Sequence, residues 1–265
     1  MVRTAKAVFL TLVFAVFTVP LVIVAGVSLN EKKLMFFPPR GLSLQWYPAL
    51  FEQSEWLEAL TNSITVAATS GLIAVSIALP ASYFLWRYRV VYAKALFAIG
   101  LVPFALPPVI TALGMLIFWA ELGYVGKLVN IVIGHGVFLV TLPLVMISLG
   151  LESIDEEILE AARTMGADGR RIFTTIVFPM VLPYIIAGYA FVLVISMNEY
   201  IIAFFLGQHA TVTLPVKVLA SLRSGYTPII ASVSVLFILL AVVVFGLIAR
   251  FGDLPRLLGA WTPKE

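Results

Sequence analysis

Cysteine is absent from all 265 residues, so neither a disulfide scaffold nor a thiolate metal site can be built. Histidine occurs twice, as His135 and His209, too far apart in sequence to suggest a His-rich metal centre. Charged residues are scarce at 12%, about half the roughly 25% of a soluble globular domain, while apolar residues reach 62%. A soluble fold could not cover its surface with so little charge, and lipid is the solvent that fits. A net charge of +3 is small, and in such a chain basic residues report topology rather than nucleic-acid binding. No G-x4-G-K-[ST] loop occurs, so this chain cannot cradle ATP by that route. No nucleophile–base pair or metal-ligand constellation occurs either, which makes a membrane enzyme the weakest reading.

What is abundant is long apolar sequence. A spanning helix needs about 20 mostly apolar residues, and six segments qualify: 7–29, 62–86, 95–118, 128–150, 183–206 and 229–250. They are too long and continuous for barrel strands, and helices satisfy their own backbone in lipid. The expected fold class is all-α, a polytopic membrane protein with six transmembrane helices. The first run follows Arg3 and Lys6 as a signal peptide would. It is about twice the length of a signal core and lacks a small-x-small cleavage site, so a retained helix is expected.

Basic residues set the orientation. With the N-terminus inside, the inner segments hold Arg3, Lys6, Arg87, Arg89, Lys94, Arg163, Arg170, Arg171, Arg250, Arg256 and Lys264. The outer segments hold only Lys32, Lys33, Arg40, Lys127, Lys217 and Arg223. Both termini are therefore expected in the cytoplasm, in an inner membrane. The chain divides into a first helix and outer loop over 1–61, a core over 62–250 and a cytoplasmic tail over 251–265. In the outer loop, Trp46, Tyr47 and Trp56 suit headgroup depth.

The inner segment 151–182 carries the most concentrated charge. Ser153 and Glu156 have capping-box spacing. Glu152, Asp155, Glu156 and Glu157 cluster where a helix start favours anions. Ile154, Ile158, Ala161 and Met165 recur on one helical face, and Gly166 can end that helix in a left-handed conformation. Asp168 is placed to cap a second short helix running to Ile176, and Pro179 and Pro183 are expected to break the chain before the fifth span. The result is a helix–Gly–helix hairpin, which on physics alone is equally well a solvated connector.

The spacing inside this hairpin is more specific. Glu160-Ala161-Ala162, Gly166, Ile176 and Pro179 match EAA-x3-G-x9-I-x-LP, with Phe178 in the leucine position. The segment resembles the EAA motif of ABC importer permeases. Asn62-Ser63-Ile64 resembles the start of that permease domain, and Pro103, Pro107 and Pro108 also fit. NEYIIAFFL and TLPVKVLASLRSG, within 196–224, are similar to spermidine/putrescine-type permeases. Those permeases usually carry two acids where this chain has Asn198 and Glu199.

The resemblance implies the type I importer permease fold and a division of labour. A second homologous permease would complete the pathway, an ATPase dimer would carry ATP and Mg, and an external solute-binding protein would deliver a small, polyamine-like or otherwise cationic solute. No cofactor is expected on this chain itself. The EAA hairpin would couple to the ATPase through Glu160, Ala161, Ala162, Met165, Gly166, Asp168 and Arg170.

Within the fifth span Glu199 is the isolated ionisable residue. A charge at mid-bilayer costs about 2.5–3.5 kcal/mol on insertion scales, so it should face the bundle or a wet cavity. Two readings stay open: Glu199 attracts a cationic solute in the pathway, or it pairs with a neighbouring subunit. Asn198 and Ser196 are candidates for added hydrogen bonds along the pathway. His135 is expected to bond between helices, Tyr83 and Trp86 to pack, and Glu121 to reach water at an outer helix end. The competing function is a stand-alone secondary transporter or a channel subunit. No repeat between halves and no filter sequence support these.

Overall fold

In hydrocarbon each backbone N–H and C=O must be bonded within the protein, so the apolar runs fold as helices. A computed structural model describes residues 2–88, 91–208, 210–225 and 227–251. Residues 252–265 of the expected tail lie outside the described residues, with Arg256 and Lys264, as do Arg89 and His209. The described elements are helical. Helix α1 (Val2–Ser28) precedes the short α2 (Trp46–Glu52) and the long α3 (Ser54–Tyr88). Next come α4 (Val91–Ala105), α5 (Pro108–Glu121), α6 (Leu128–Phe138) and α7 (Thr141–Glu152). The hairpin helices α8 (Glu156–Thr164) and α9 (Gly169–Ile172) lead through a π-helical turn, Phe173–Val177, into α10 (Phe178–Asn198). The chain closes with α11 (Ile201–Gly207), α12 (Leu214–Ser224) and α13 (Pro228–Phe251).

Among the described residues, four helical stretches are long and apolar enough to cross a membrane, and two bent pairs bring the number to six. Three of the six expected spans are not straight. The third, expected over 95–118, is α4 and α5 meeting at 108°. Pro107 and Pro108 withhold two successive donors and force the residue before them out of the helix, and Pro108 then opens α5. The fourth bends by 40° between α6 and α7. Pro143 cannot bond the Leu139 carbonyl, which instead accepts the Leu142 N–H at 3.1 Å in a tighter turn. The fifth, expected over 183–206, ends at Asn198, and α11 is a separate element.

The expected break at Pro179 and Pro183 does not occur. The helix is continuous over Gly169–Asn198. The π turn widens the backbone just ahead of the prolines, with the Phe178 N–H bonded five residues back to Phe173. Pro179 then sits in the first turn after it, where a missing donor costs least.

Helix α3 runs for 35 residues, about 50 Å at 1.5 Å per residue, and so projects beyond a core about 30 Å thick. Its buried stripe is Ser63, Ala67, Ser70, Ala74, Ala78 and Ser82. Small residues at this spacing let helices approach closely, which is how they associate in lipid. Helix α10 packs on α3 and α7, and α6 packs on α3. Ser82 Oγ donates to the Leu144 carbonyl at 3.3 Å across the α3–α7 contact. A Cβ on Gly188 of α10 would lie 2.8 Å from Pro143 Cα, so these two backbones meet directly. Helix α1 leans on α13, and only its C-terminal end is covered by the outer loop, with Phe14 and Phe17 left for lipid.

At the opposite end from the hairpin the outer loop folds into a cap. The buried Asn30 side chain donates to the Phe36 carbonyl at 2.6 Å and accepts the Arg40 N–H at 2.9 Å. Trp46 Nε1 donates to the Asn30 carbonyl at 2.6 Å, and Tyr47 Oη pairs with Ser28 Oγ at 2.8 Å. Trp56 is buried with Leu50, Ala59, Leu214 and Ile229 in a small second core. The aromatics expected at headgroup depth thus serve as struts of a folded cap.

The Gly188 contact predicts a sharp contrast. Gly188→Val should destabilise the detergent-solubilised protein by about 1–3 kcal/mol, because Pro143 backbone cannot retreat. Gly246→Val, where a Cβ meets nothing within 4 Å, should stay within about 0.5 kcal/mol. Thermal unfolding of both variants checks this, and equal melting temperatures would refute the packing account.

Candidate functional site

Two features gather the candidate residues: the hairpin and the break after α10. The hairpin begins differently from the capping-box expectation. Ser153 Oγ donates back to the Gly150 carbonyl at 2.8 Å and closes α7. Asp155 is the cap of α8, its Oδ1 accepting the Glu157 N–H at 3.0 Å. With Asp155 at the cap, Glu156 and Glu157 fall in the first turn, where the helix dipole favours them.

Helix α8 buries Leu159 and Ala162. The residues expected to share one face divide. Ile154 points into the core from the turn before the helix, whereas Ile158 and Ala161 are exposed and Met165 is 82% exposed. Ala162 therefore anchors the hairpin and is corrected as a presenting residue. Glu160, Ala161, Met165, Gly166, Asp168 and Arg170 all lie on the exposed side.

Gly166 has φ +84°, with its N–H bonded to Arg163 at 2.9 Å and the next N–H reaching Ala162 at 3.0 Å. A Cβ there would meet nothing within 4 Å. The left-handed backbone alone asks for glycine. Asp168 Oδ1 accepts the Arg171 N–H at 2.7 Å and starts α9 as expected. Behind the hairpin, Tyr83 and Trp86 of α3 line a cleft of about 160 Å³ with Leu159, Ile172 and Val177. The Tyr83 ring meets Phe173 edge-on at 4.9 Å. These aromatics pack, as expected, and brace the hairpin on the end of α3.

At the second feature the chain leaves α10 at Asn198 and restarts at Ile201. Glu199 Oε1 accepts the N–H groups of Ile201 at 2.8 Å and Ile202 at 3.0 Å. Its Oε2 accepts those of Ile202 at 2.9 Å and Ala203 at 3.2 Å. The same Oε2 lies 3.1 Å from His135 Nε2, an electrostatic contact more than an aligned hydrogen bond. His135 Nδ1 pairs with Ser196 Oγ at 2.7 Å. The side chains of His135 and Glu199 are 1% and 8% exposed.

The Glu199 carboxylate is turned inward, and its partner is an imidazole of the same chain rather than a neighbouring subunit. Ser196 is also inward, and of the three pathway candidates Asn198 alone is exposed, its amide donating to the Val194 carbonyl at 2.9 Å. His135 bonds between helices as expected, but its pairing with Glu199 was not legible at 64 residues' separation. The available signal was the flanking glycines. A Cβ on Gly134 would lie 2.5 Å from Leu206 and 2.9 Å from Ile202, so α11 presses on α6 at this level. A second missed link joins two motifs. Ser63 Oγ accepts the Leu214 N–H at 2.7 Å, and Asn62 donates to the Val212 carbonyl at 3.0 Å. The Asn-Ser pair thus fixes the start of α12.

Comparison with known proteins sets these features in a family. Residues 72–253 match the binding-protein-dependent transport system inner membrane component. The chain is 31% identical over 253 residues to the putrescine transport system permease protein PotI of Escherichia coli K12, covering 93% of this chain and 89% of that protein. It is 24% identical over 245 residues to the spermidine/putrescine transport system permease protein PotC of Haemophilus influenzae, covering 91% and 95%. The fold is similar to that of a chain of a bacterial ABC transporter involved in alginate import, at TM-score 0.69 and 16% identity over 94% of this chain and 95% of that one. It is also similar to a chain of the MetNI methionine ABC transporter, at TM-score 0.61 and 18% identity over 79% of this chain and 100% of that one. The chain therefore belongs to the binding-protein-dependent transport system inner membrane components, and it is a multi-pass permease subunit of an importer of that kind.

Proposed function

We propose that this chain forms half of the translocation pathway of an ATP-driven importer for a polyamine-like organic cation, and that the hairpin 151–182 docks on a partner ATPase. The observation that carries the proposal is the exposed face of α8. Ile158, Ala161 and Met165 stand uncovered on a hairpin that is otherwise capped, anchored and braced. Acids at the start of α8, Arg163 in its last turn and Arg170 and Arg171 after it frame that apolar patch with both signs of charge. An apolar centre with a charged rim is the composition of a protein contact. The second permease is a homologue of this one, an external solute-binding protein supplies the solute, and ATP and Mg belong to the ATPase dimer. Polyamine chemistry is favoured because the relatives named for putrescine and spermidine align over nine-tenths of the chain.

In this reading the hairpin and both termini lie in the cytoplasm. Arg87 of α3 lines the same cleft as Arg163 of the hairpin, so basic residues of two inner segments meet at one end. Lys33 and Lys217 line a cavity at the other end with Trp46 and Trp56. The absence of cysteine makes labelling direct. In intact cells a membrane-impermeant thiol reagent should label Gln208→Cys and leave Gly169→Cys untouched until the membrane is opened. Labelling at 169 from outside would reverse the topology.

Docking is tested with Gly166→Val and Glu160→Lys. The first imposes about 1–2 kcal/mol of left-handed strain on a β-branched residue, and the second reverses a charge in the patch. Each should insert normally and bind the ATPase about tenfold more weakly. Pull-down titration of the cognate ATPase measures this, and unchanged affinity in both variants would remove the docking role.

A further inference from the structure

We propose that Glu199 is a positioning residue, which uses the His135 contact to fix α11 against α6 and α10 and makes no contact with solute. The inference rests on the permease family alone and not on the identity of the solute. A carboxylate offers about four lone-pair directions. Three backbone N–H groups, of Ile201, Ile202 and Ala203, make four contacts to its two oxygens, with the Ile202 N–H shared between them, and His135 Nε2 stands 3.1 Å from Oε2 beside them. No acceptor remains for an ammonium group.

The donors explain why an acid is there. Residues 201–203 supply the first N–H groups of α11, which have no partner inside their own helix. Around them stand buried Ile202, Ala203 and Leu206, so water does not serve them. The ionised carboxylate can only accept, so the proton between it and the ring sits on Nε2. Nδ1 pairs with the Ser196 hydroxyl, which orients the ring. Each group comes from a different helix, α10, α6 or the start of α11. Gly134, beside His135, leaves room for the Ile202 and Leu206 side chains of α11 to close on α6. Exposed Asn198, one residue earlier, is left as the polar group at this level that faces outward.

The test uses the permease in lipid nanodiscs and the assembled importer in proteoliposomes. Glu199→Gln keeps the length, removes the charge and places a donor against the α11 amides. Hydrogen exchange at 201–203 should quicken by about tenfold or more, with distant helices unchanged. His135→Ala should give the same local effect, and the double variant should add little to the worse single one, as expected of a coupled pair. In uptake of labelled putrescine, Glu199→Gln should lower the maximal rate and leave KM within about twofold. Unchanged exchange, or a raised KM with unchanged exchange, would overturn the proposal in favour of solute contact. If wild-type protein does not take up putrescine, the solute reading fails while the exchange result still decides this one. Should Glu199→Gln fail to assemble, Ser196→Ala frees the ring and retains the charge. A severalfold rise in exchange at 201–203 would then support the clamp, and none would overturn it.

Discussion

Hydrocarbon offers no partner to a backbone N–H, and each one left unbonded costs several kcal/mol. That constraint decides where these helices can stop. Between α4 and α5 the stop falls on Pro107 and Pro108, which have no N–H to lose. Between α6 and α7 the chain tightens, so that Leu142 bonds the Leu139 carbonyl. After α10 the break is the costliest, because α11 begins with apolar residues and no proline. Here a carboxylate bonds the three freed donors, and a buried imidazole stands against the charge. A buried charge is stabilised by this many oriented donors far better than by any single partner.

Close packing follows from the same economy of polar groups. With no hydrophobic drive between helices in lipid, contact area has to come from backbone approach. The serine–alanine stripe of α3, Gly188 against Pro143 and Gly150 against Tyr184 supply it. The resulting bundle carries the hairpin rigidly, since the end of α3 braces α8 and α9 while α9 is one continuous helix with α10. Movement of the hairpin would therefore be transmitted along α10 to its far end, where the Glu199 clamp sits. On the docking proposed above, this continuity would let an event at the hairpin bear on the far end of α10.

Much of this was legible in the sequence because it is local. Six apolar runs, the left-handed Gly166 and the Asp168 cap each depend on residues within one or two turns. The errors were also local rules overridden. Pro179 and Pro183 promised a break, yet a π turn ahead of them let the helix continue. Ser153 had the spacing of a cap, but the preceding helix claimed its hydroxyl and Asp155 took the role. The site was less legible because it is long-range. Glu199 appeared unpartnered only because His135 lies 64 residues earlier, and the Asn62-Ser63 motif bonds a segment some 150 residues later. Gly134, next to the histidine and pressed by α11, was the clue to the first of these.

On the function proposed above, this chain moves solute only as part of an ATP-driven assembly. Reconstitution into proteoliposomes with its homologous permease, the ATPase and the solute-binding protein tests it most directly, with ATP supplied on the hairpin side and labelled putrescine on the other. Accumulation that requires ATP, the ATPase and the binding protein together is the predicted result. Accumulation by the permease without ATPase or ATP, driven by an ion gradient, would contradict the account and make the chain a secondary transporter.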